Sequence, residues 1–353
     1  MQLILISCLM FVSGLSFAGE NIVGHKSPEA LGRGNSMISW SNSNSTNIFQ
    51  NPAFLSESQK FSFDLIDLTL DFSQNLIPLL SNIPQKNNEQ IYNQIKPYFG
   101  NSYSAQGFLS PVVSYKGFSL IPLFVSGMGS ATIRNPVFSN ADAFYYYDIG
   151  TSFAKGFSVN DKLSFGISSV FTQRKGVLES ANLNNGLKLP LADKREGNSI
   201  SFNFGTTYQF KDKSETVAGF SWTNIGSPHF WNNTSGRIAE DSISKLYEEI
   251  GFGFSTLFFP INYFSKKVKW AMEVHNLFDS NYDTVDKLSF GTQYDMLSWL
   301  NIKGGIYESS PTYGISLDTR IATLDLSSYK ENSRTGYQSK NRHYLLGFKL
   351  GFH

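Results

Sequence analysis

Ser199-Ile200-Ser201-Phe202-Asn203-Phe204-Gly205-Thr206-Thr207-Tyr208-Gln209-Phe210 is the stretch on which the fold class turns. Ile200, Phe202, Phe204, Thr206, Tyr208 and Phe210 fall on one face of an extended chain, and Ser201, Asn203, Gly205, Thr207 and Gln209 on the other. A period of two belongs to a β-strand, not a helix. The C-terminus repeats it: Tyr344, Leu346, Phe348, Leu350 and Phe352 alternate with His343, Leu345, Gly347, Lys349 and Gly351. Shorter versions run through Leu163-Phe165-Ile167, Leu288-Phe290-Thr292-Tyr294-Met296 and Tyr313-Ile315-Leu317.

Alternation also fits a soluble antiparallel sandwich with one wet face. Two features point instead to a transmembrane barrel. The polar face is mostly Ser, Thr, Asn, Gln and Gly rather than Lys and Glu. Aromatic residues gather near strand ends, at Tyr145, Tyr146, Tyr147, Phe258, Phe259 and Phe352, where interfacial girdles sit. In lipid every backbone group needs a partner, so strands cross only by closing into a barrel.

Composition agrees. The 353 residues carry 29 Lys+Arg and 28 Asp+Glu, with 16% charged and 15% aromatic residues, and a mean hydropathy of −0.20. A chain of net charge +1 has no basic footprint for nucleic acid. Many rings and little net charge are the reverse of a disordered composition. No stretch after the N-terminus offers the ~20 apolar residues of a helical span; the longest candidate, 117–133, is broken by Pro122, Gly127 and Gly129.

The alternation predicts an all-β fold of fourteen antiparallel strands at 60–72, 107–115, 118–132, 143–157, 161–175, 198–210, 215–225, 246–259, 266–276, 286–296, 299–308, 311–319, 321–330 and 342–353. An even count is the rule for bacterial barrels. Links after even-numbered strands are short and those after odd-numbered strands mostly long, with Ser309-Ser310 the exception. Short periplasmic turns facing long external loops give this parity, with both termini periplasmic.

Residues 1–18 read as a secretory signal: an apolar core from Leu3 to Val12, then Ser16-Phe17-Ala18 before Gly19. A lipobox-like Leu5-Ile6-Ser7-Cys8 is the rival, with too few residues ahead of it. Cys8 is the only cysteine, so the mature chain is expected to hold no disulfide or thiolate site. This predicts Sec-type export to the outer membrane of a Gram-negative-type bacterium. The barrel is expected over 59–353, preceded by an irregular segment, 19–58, rich in Ser, Asn and Gly. A partly helical external loop is predicted within 74–98 from Ile91, Ile95 and Tyr98.

Several residues stand out. Gly32 and Gly34 permit tight turns, and Pro52 biases Asn51 toward an extended form. Arg33 requires a partner, either a carboxylate or an anionic ligand head, because an uncompensated buried charge is costly. Pro122, Gly127 and Gly129 mark a candidate opening in the wall, since proline removes a ladder donor and glycine permits a bulge. Asp148, Gln293, Lys303 and Asp318 fall on lumen-facing parity. The five histidines lack metal-ligand spacing. Neither a P-loop nor a Gly-x-Ser-x-Gly turn is present, so neither cofactor nor enzyme activity is expected.

Glu29-Ala30-Leu31-Gly32-Arg33-Gly34, followed by Asn51-Pro52-Ala53-Phe54-Leu55, resembles the N-terminal signature of the FadL-type long-chain fatty acid transporters. The C-terminal third is similar to the related PorV and TraF-like barrels, through Leu288–Tyr294, Leu300–Ile306 and Tyr313–Leu317. Gln293 and Lys303 depart from the Glu and Arg of that second group. The resemblance implies a fourteen-stranded barrel holding its N-terminal segment inside as a plug or hatch, with Leu31, Gly32, Arg33, Asn51, Pro52 and Ala53 as hatch elements. It implies passive uptake of a hydrophobic molecule such as a fatty acid, with outer-membrane lipid around the barrel. The alternative it carries is an adaptor or assembly partner for secreted or surface proteins, without transport.

Overall fold

The computed structural model describes residues 25–41, 43–76, 102–133, 140–182, 193–210, 215–230, 245–258, 268–279, 283–319, 321–332 and 340–352. The signal peptide and the helix expected within 74–98 lie outside the described residues, apart from 74–76 at the latter's start.

Fourteen strands form one closed antiparallel barrel. They are β1 (Ser62–Ser73), β2 (Ser102–Tyr115), β3 (Phe118–Ile133), β4 (Asn140–Ser158), β5 (Leu163–Asn182), β6 (Asp193–Gln209) and β7 (Val217–Thr223), then β8 (Glu249–Phe258), β9 (Val268–Val274), β10 (Leu288–Leu297), β11 (Leu300–Tyr307), β12 (Ser310–Asp318), β13 (Ala322–Asn332) and β14 (Lys340–Phe352). Each strand pairs with its neighbour in sequence, and β1 closes on β14. Each predicted strand overlaps one of these. The largest difference in extent is at the β5–β6 hairpin, where the predicted link 176–197 is partly ladder: Lys175 to Leu178 pair with Glu196 to Asp193. There the apolar alternation stops but backbone pairing continues, so side-chain pattern alone underestimates strand length. The short turn on the long-link side is Glu308-Ser309, with φ of 45° and 58°; positive φ at both central residues is the hairpin turn that matches strand twist.

The two faces of the wall are chemically opposite. Phe153, Ile167, Phe171, Ile200, Phe202, Phe252, Met272, Ile302, Tyr313 and Leu326 are exposed outside, the face a bilayer requires. Ser126, Ser152, Ser168, Ser201, Asn203, Ser255 and Thr312 are buried inside. The inner face is more charged than expected, with Asp64, Asp67, Asp71, Asp148, Arg174, Glu273, Lys303, Asp325 and Lys349 all buried.

Two irregularities reset which residues face inward. In β1 the register slips around Leu65-Ile66, so the buried positions pass from Ser62 and Asp64 to Asp67, Thr69 and Asp71. In β3 it slips around Pro122-Leu123; both residues are exposed, and burial passes from Ser119 and Ile121 to Phe124 and Ser126. An extra residue in one strand does this because the side-chain period is two.

Within the ring of strands lies the N-terminal segment, residues 25–58. It contains α1 (Pro28–Gly32), α2 (Asn44–Phe49) and a 3-10 turn, Pro52–Glu57. Ser27 caps α1 by accepting the Ala30 N–H at 3.2 Å, with Pro28 at the first turn. Asn51 caps the 3-10 turn by accepting the Ala53 N–H, also at 3.2 Å. Ile48 and Leu55 from this segment form one apolar core with Phe108, Val112, Ile121, Phe124, Ala154 and Val170 of β2–β5.

Candidate functional site: a segment seated in the barrel and the cavity beside it

The predicted hatch residues meet the wall at close quarters. Gly32 faces Gly314, where a Cβ on Gly32 would stand 3.0 Å from the Gly314 Cα. Gly34 has φ +69° and lies so near the Phe290 backbone that a side chain has no room. Its N–H donates to Thr312 Oγ1 at 3.0 Å. Gly166 and Gly205 give the same close approach to Pro52-Ala53 and to Asn51. Asn51 has an extended φ of −134°, is fully buried, and donates to the Ile38 carbonyl at 2.6 Å. Leu31 packs on Tyr329 and Leu345.

A buried backbone must have its polar groups satisfied, and the wall does this for the segment. Glu273 is fully buried and accepts the N–H groups of Met37 at 2.9 Å, Ile38 at 3.0 Å and Ser39 at 2.9 Å, and the Ser39 hydroxyl at 2.8 Å. Ser255 donates to the Ser39 carbonyl at 2.6 Å and Ser168 to the Ile48 carbonyl at 2.7 Å. Ser221 donates to the Gln50 carbonyl. Glu273 and the inner-face serines thus satisfy the segment's backbone.

Arg33 is fully buried. Its Nη1 donates to Glu29 Oε1 at 2.9 Å and to Gln293 Oε1 at 3.2 Å, and the guanidinium lies 4.3 Å from the Trp40 ring. Its carboxylate partner therefore comes from the same segment. Burial opposes ionisation of Glu29, but Arg33, Lys303 and Lys349 outweigh it and bring its pKa to about 2. Lys303 donates to Asp325 at 2.9 Å and to Ser316. Asp318 is exposed and accepts from Thr323 Oγ1 at 2.8 Å. Lys26 and His343 meet on Asp71, at 3.1 Å and 3.0 Å.

Of the candidate wall opening, Gly127 pairs with Gly107 and Tyr147, and Gly129 with Ala105 and Tyr145, so the ladder runs on at both. Of the three, Pro122 alone lies where pairing is interrupted on both sides, together with its neighbour Leu123. The Ile121 carbonyl there accepts the Thr151 hydroxyl at 2.9 Å.

Empty space lies on both sides of the segment. Toward the long links a cavity is lined by Phe49, Phe108, Phe124, Phe230, Val170 and Leu246, with Asp148, Arg174 and Asn203 among its polar groups. A second, smaller cavity shares His25, Gln50, Glu249 and Asn276 with it. Toward the short links a larger polar vestibule is lined by Glu29, Lys303, Asp318, Asp325 and Lys349.

No protein-family model and no curated protein matches the chain by sequence. Solved structures do match. The toluene transporter TbuX of Ralstonia pickettii is 12% identical, with 94% of this chain and 100% of that one covered and a TM-score of 0.52. A FadL homologue of Pseudomonas aeruginosa is 11% identical over 95% and 100%, TM-score 0.52. The toluene transporter TodX of P. putida is 12% identical over 95% and 97%, TM-score 0.50. This is the FadL-type barrel fold. At these identities the likeness concerns architecture. Glu29–Gly34 and Asn51–Leu55 belong to the N-terminal segment, and residues 288–317 form β10–β12.

Arg174 and Glu273 were not anticipated. Arg174 stands directly opposite Asp148 in the β4–β5 ladder, and both are equally distant from Asp161 in the connecting turn. Counting back from that hairpin is the sequence signal that reveals the pair. Glu273 lies 3.3 Å from His275, just past the end of the same strand, but the three amides it accepts are far away in the chain and leave no such signal.

Proposed function

We propose that this barrel carries an apolar small molecule passively across the outer membrane, and that residues 19–58 are a plug gating the path. The observation that supports this reading is the division of the lumen: a ring-lined cavity on the long-link side and a polar vestibule on the other, with the N-terminal segment between them. Apolar contacts hold the passenger and a few polar groups orient it. Fatty acids and aromatic hydrocarbons both belong to this class; the solved relatives include toluene transporters. Pro122, where the ladder is interrupted, is the element of the predicted wall opening that supports a lateral exit; Gly127 and Gly129 lie further along the same strand, where pairing resumes.

The test locks the segment. Ser45 Oγ in α2 donates to Asp67 of β1, and Cys8 in the predicted signal is the only native cysteine. A Ser45→Cys, Asp67→Cys variant can be cross-linked by oxidation and freed by reductant. Uptake of a labelled apolar probe by cells bearing the locked barrel should fall to that of a deletion strain and recover on reduction. Uptake unchanged by the lock would overturn the gating, and uptake unchanged by deletion would overturn the transport.

A further inference from the structure

The cavity on the long-link side has cationic and anionic groups in its lining, yet their charges are already matched. Arg174 donates from Nε to Asp148 Oδ1 and from Nη2 to Oδ2, both at 2.7 Å. Its guanidinium lies between the Tyr146 and Phe230 rings, 4.2 Å from each. Such a planar fork is at its strongest when bidentate, and here the fork is spent on a neighbour. Glu249 accepts from His275 Nδ1 at 3.0 Å.

Among the described residues, His25 is the remaining basic side chain in the lining. Its Nε2 is 3.2 Å from Thr46 Oγ1, while its buried Nδ1 has no hydrogen-bond partner. The ring packs on Phe108 at 4.5 Å and Phe49 at 5.2 Å. Burial lowers its pKa to about 4, against a smaller opposing pull from Asp67, so it is neutral at pH 7.

We propose that this cavity selects an uncharged ring-bearing ligand with one neutral hydrogen-bonding group, of the phenol or alcohol class, and discriminates against carboxylates. This deepens the uptake reading and rests on it. A carboxylate entering here loses its hydration without gaining an unpaired cation from the described lining, and it approaches Asp148 and Glu249; an unmatched buried charge is heavily penalised. A hydroxyl finds Gln50, Thr172, Asn203 and Asn224 in the lining, and His25 Nδ1 lies beside the same rings. Aromatic ligands gain edge-to-face contacts with Phe49, Phe108 and Phe124.

The test uses the full mature chain in lipid nanodiscs and equilibrium dialysis against empty discs at pH 7.5. The probes are 4-propylphenol, propylbenzene and 4-propylbenzoate. We expect 4-propylphenol to bind about 3–10-fold tighter than propylbenzene, the value of one net hydrogen bond, and 4-propylbenzoate to bind weakest. Asp148→Asn releases the guanidinium, so its affinity for 4-propylbenzoate should rise about tenfold or more. Should Asp148→Asn fail to fold, the wild-type ranking decides alone. A carboxylate bound as tightly as the phenol, or a folded Asp148→Asn barrel with no gain, overturns the inference. Equal binding of all three overturns it while leaving the uptake reading standing, and binding of none overturns both.

Discussion

Arg33 and Arg174 are both fully buried, and each is held by a carboxylate and an aromatic ring. Their settings differ in what the pairing joins. Arg174 and Asp148 are cross-strand neighbours, both part of the wall. Arg33 belongs to the seated segment, pairs with Glu29 four residues earlier, and touches the wall through Gln293. The same chemistry therefore joins two strands of the wall in one place and joins the N-terminal segment to the wall in the other. Buried charge marks both, but only the register of the partner tells which role it plays.

Substitution separates the two most sharply. Arg174→Met leaves Asp148 buried and unpaired and should cost the barrel about 3–5 kcal/mol, whereas the double variant Asp148→Leu, Arg174→Met should recover most of that loss. Urea unfolding in lipid vesicles reads both. Arg33→Met should leave that transition nearly unchanged and instead expose residues 25–58 to protease. If Arg33→Met destabilises the whole barrel as much as Arg174→Met does, the distinction fails.

Glu273 tests how firmly the wall holds the segment. Glu273→Ala leaves the Met37, Ile38 and Ser39 amides without their acceptor, a loss of about 3 kcal/mol in local docking. Hydrogen exchange at those three amides should accelerate by about a hundredfold while β-strand amides stay protected.

Acid should act on the segment before it acts on the wall. His25 has a pKa of about 4 in place, below its ordinary 6.5. The unfastened state thus binds the extra proton, and docking is strongest above pH 6.5 and weakens as pH falls toward 4, by up to about 3 kcal/mol. Glu29, held at about 2 against an ordinary 4.5, withdraws its contribution only as pH falls from 4.5 through 2. Proteolysis of residues 25–58 across this range should show two steps, the first absent in His25→Phe. A single step unaffected by that substitution would show that His25 is not seated as described.

Much of the wall was legible because a two-residue period with lipid on one side leaves few choices for each outward position. Ile200, Phe202 and Tyr208 could be assigned to the outside from sequence alone, and the outside is where they are. The parity of link lengths ordered the hairpins. Less legible were the positions where the period resets. Two bulges, at Leu65-Ile66 and Pro122-Leu123, interrupt the alternation and conceal the inward row Asp64, Asp67 and Asp71. Proline gave notice of the second bulge; nothing local announced the first.

The amino-acid sequence by itself determined a closed antiparallel barrel with an apolar exterior, because backbone pairing in lipid admits little else. It also marked Arg33 as a group in need of a partner and placed Asp148 on the lumen side. Tertiary structure alone decided what each of them pairs with, which wall glycines admit the segment's backbone, and that Glu273 gathers three amides from a stretch more than two hundred residues earlier. Those choices depend on closure of the ring, which brings together groups that no local pattern relates.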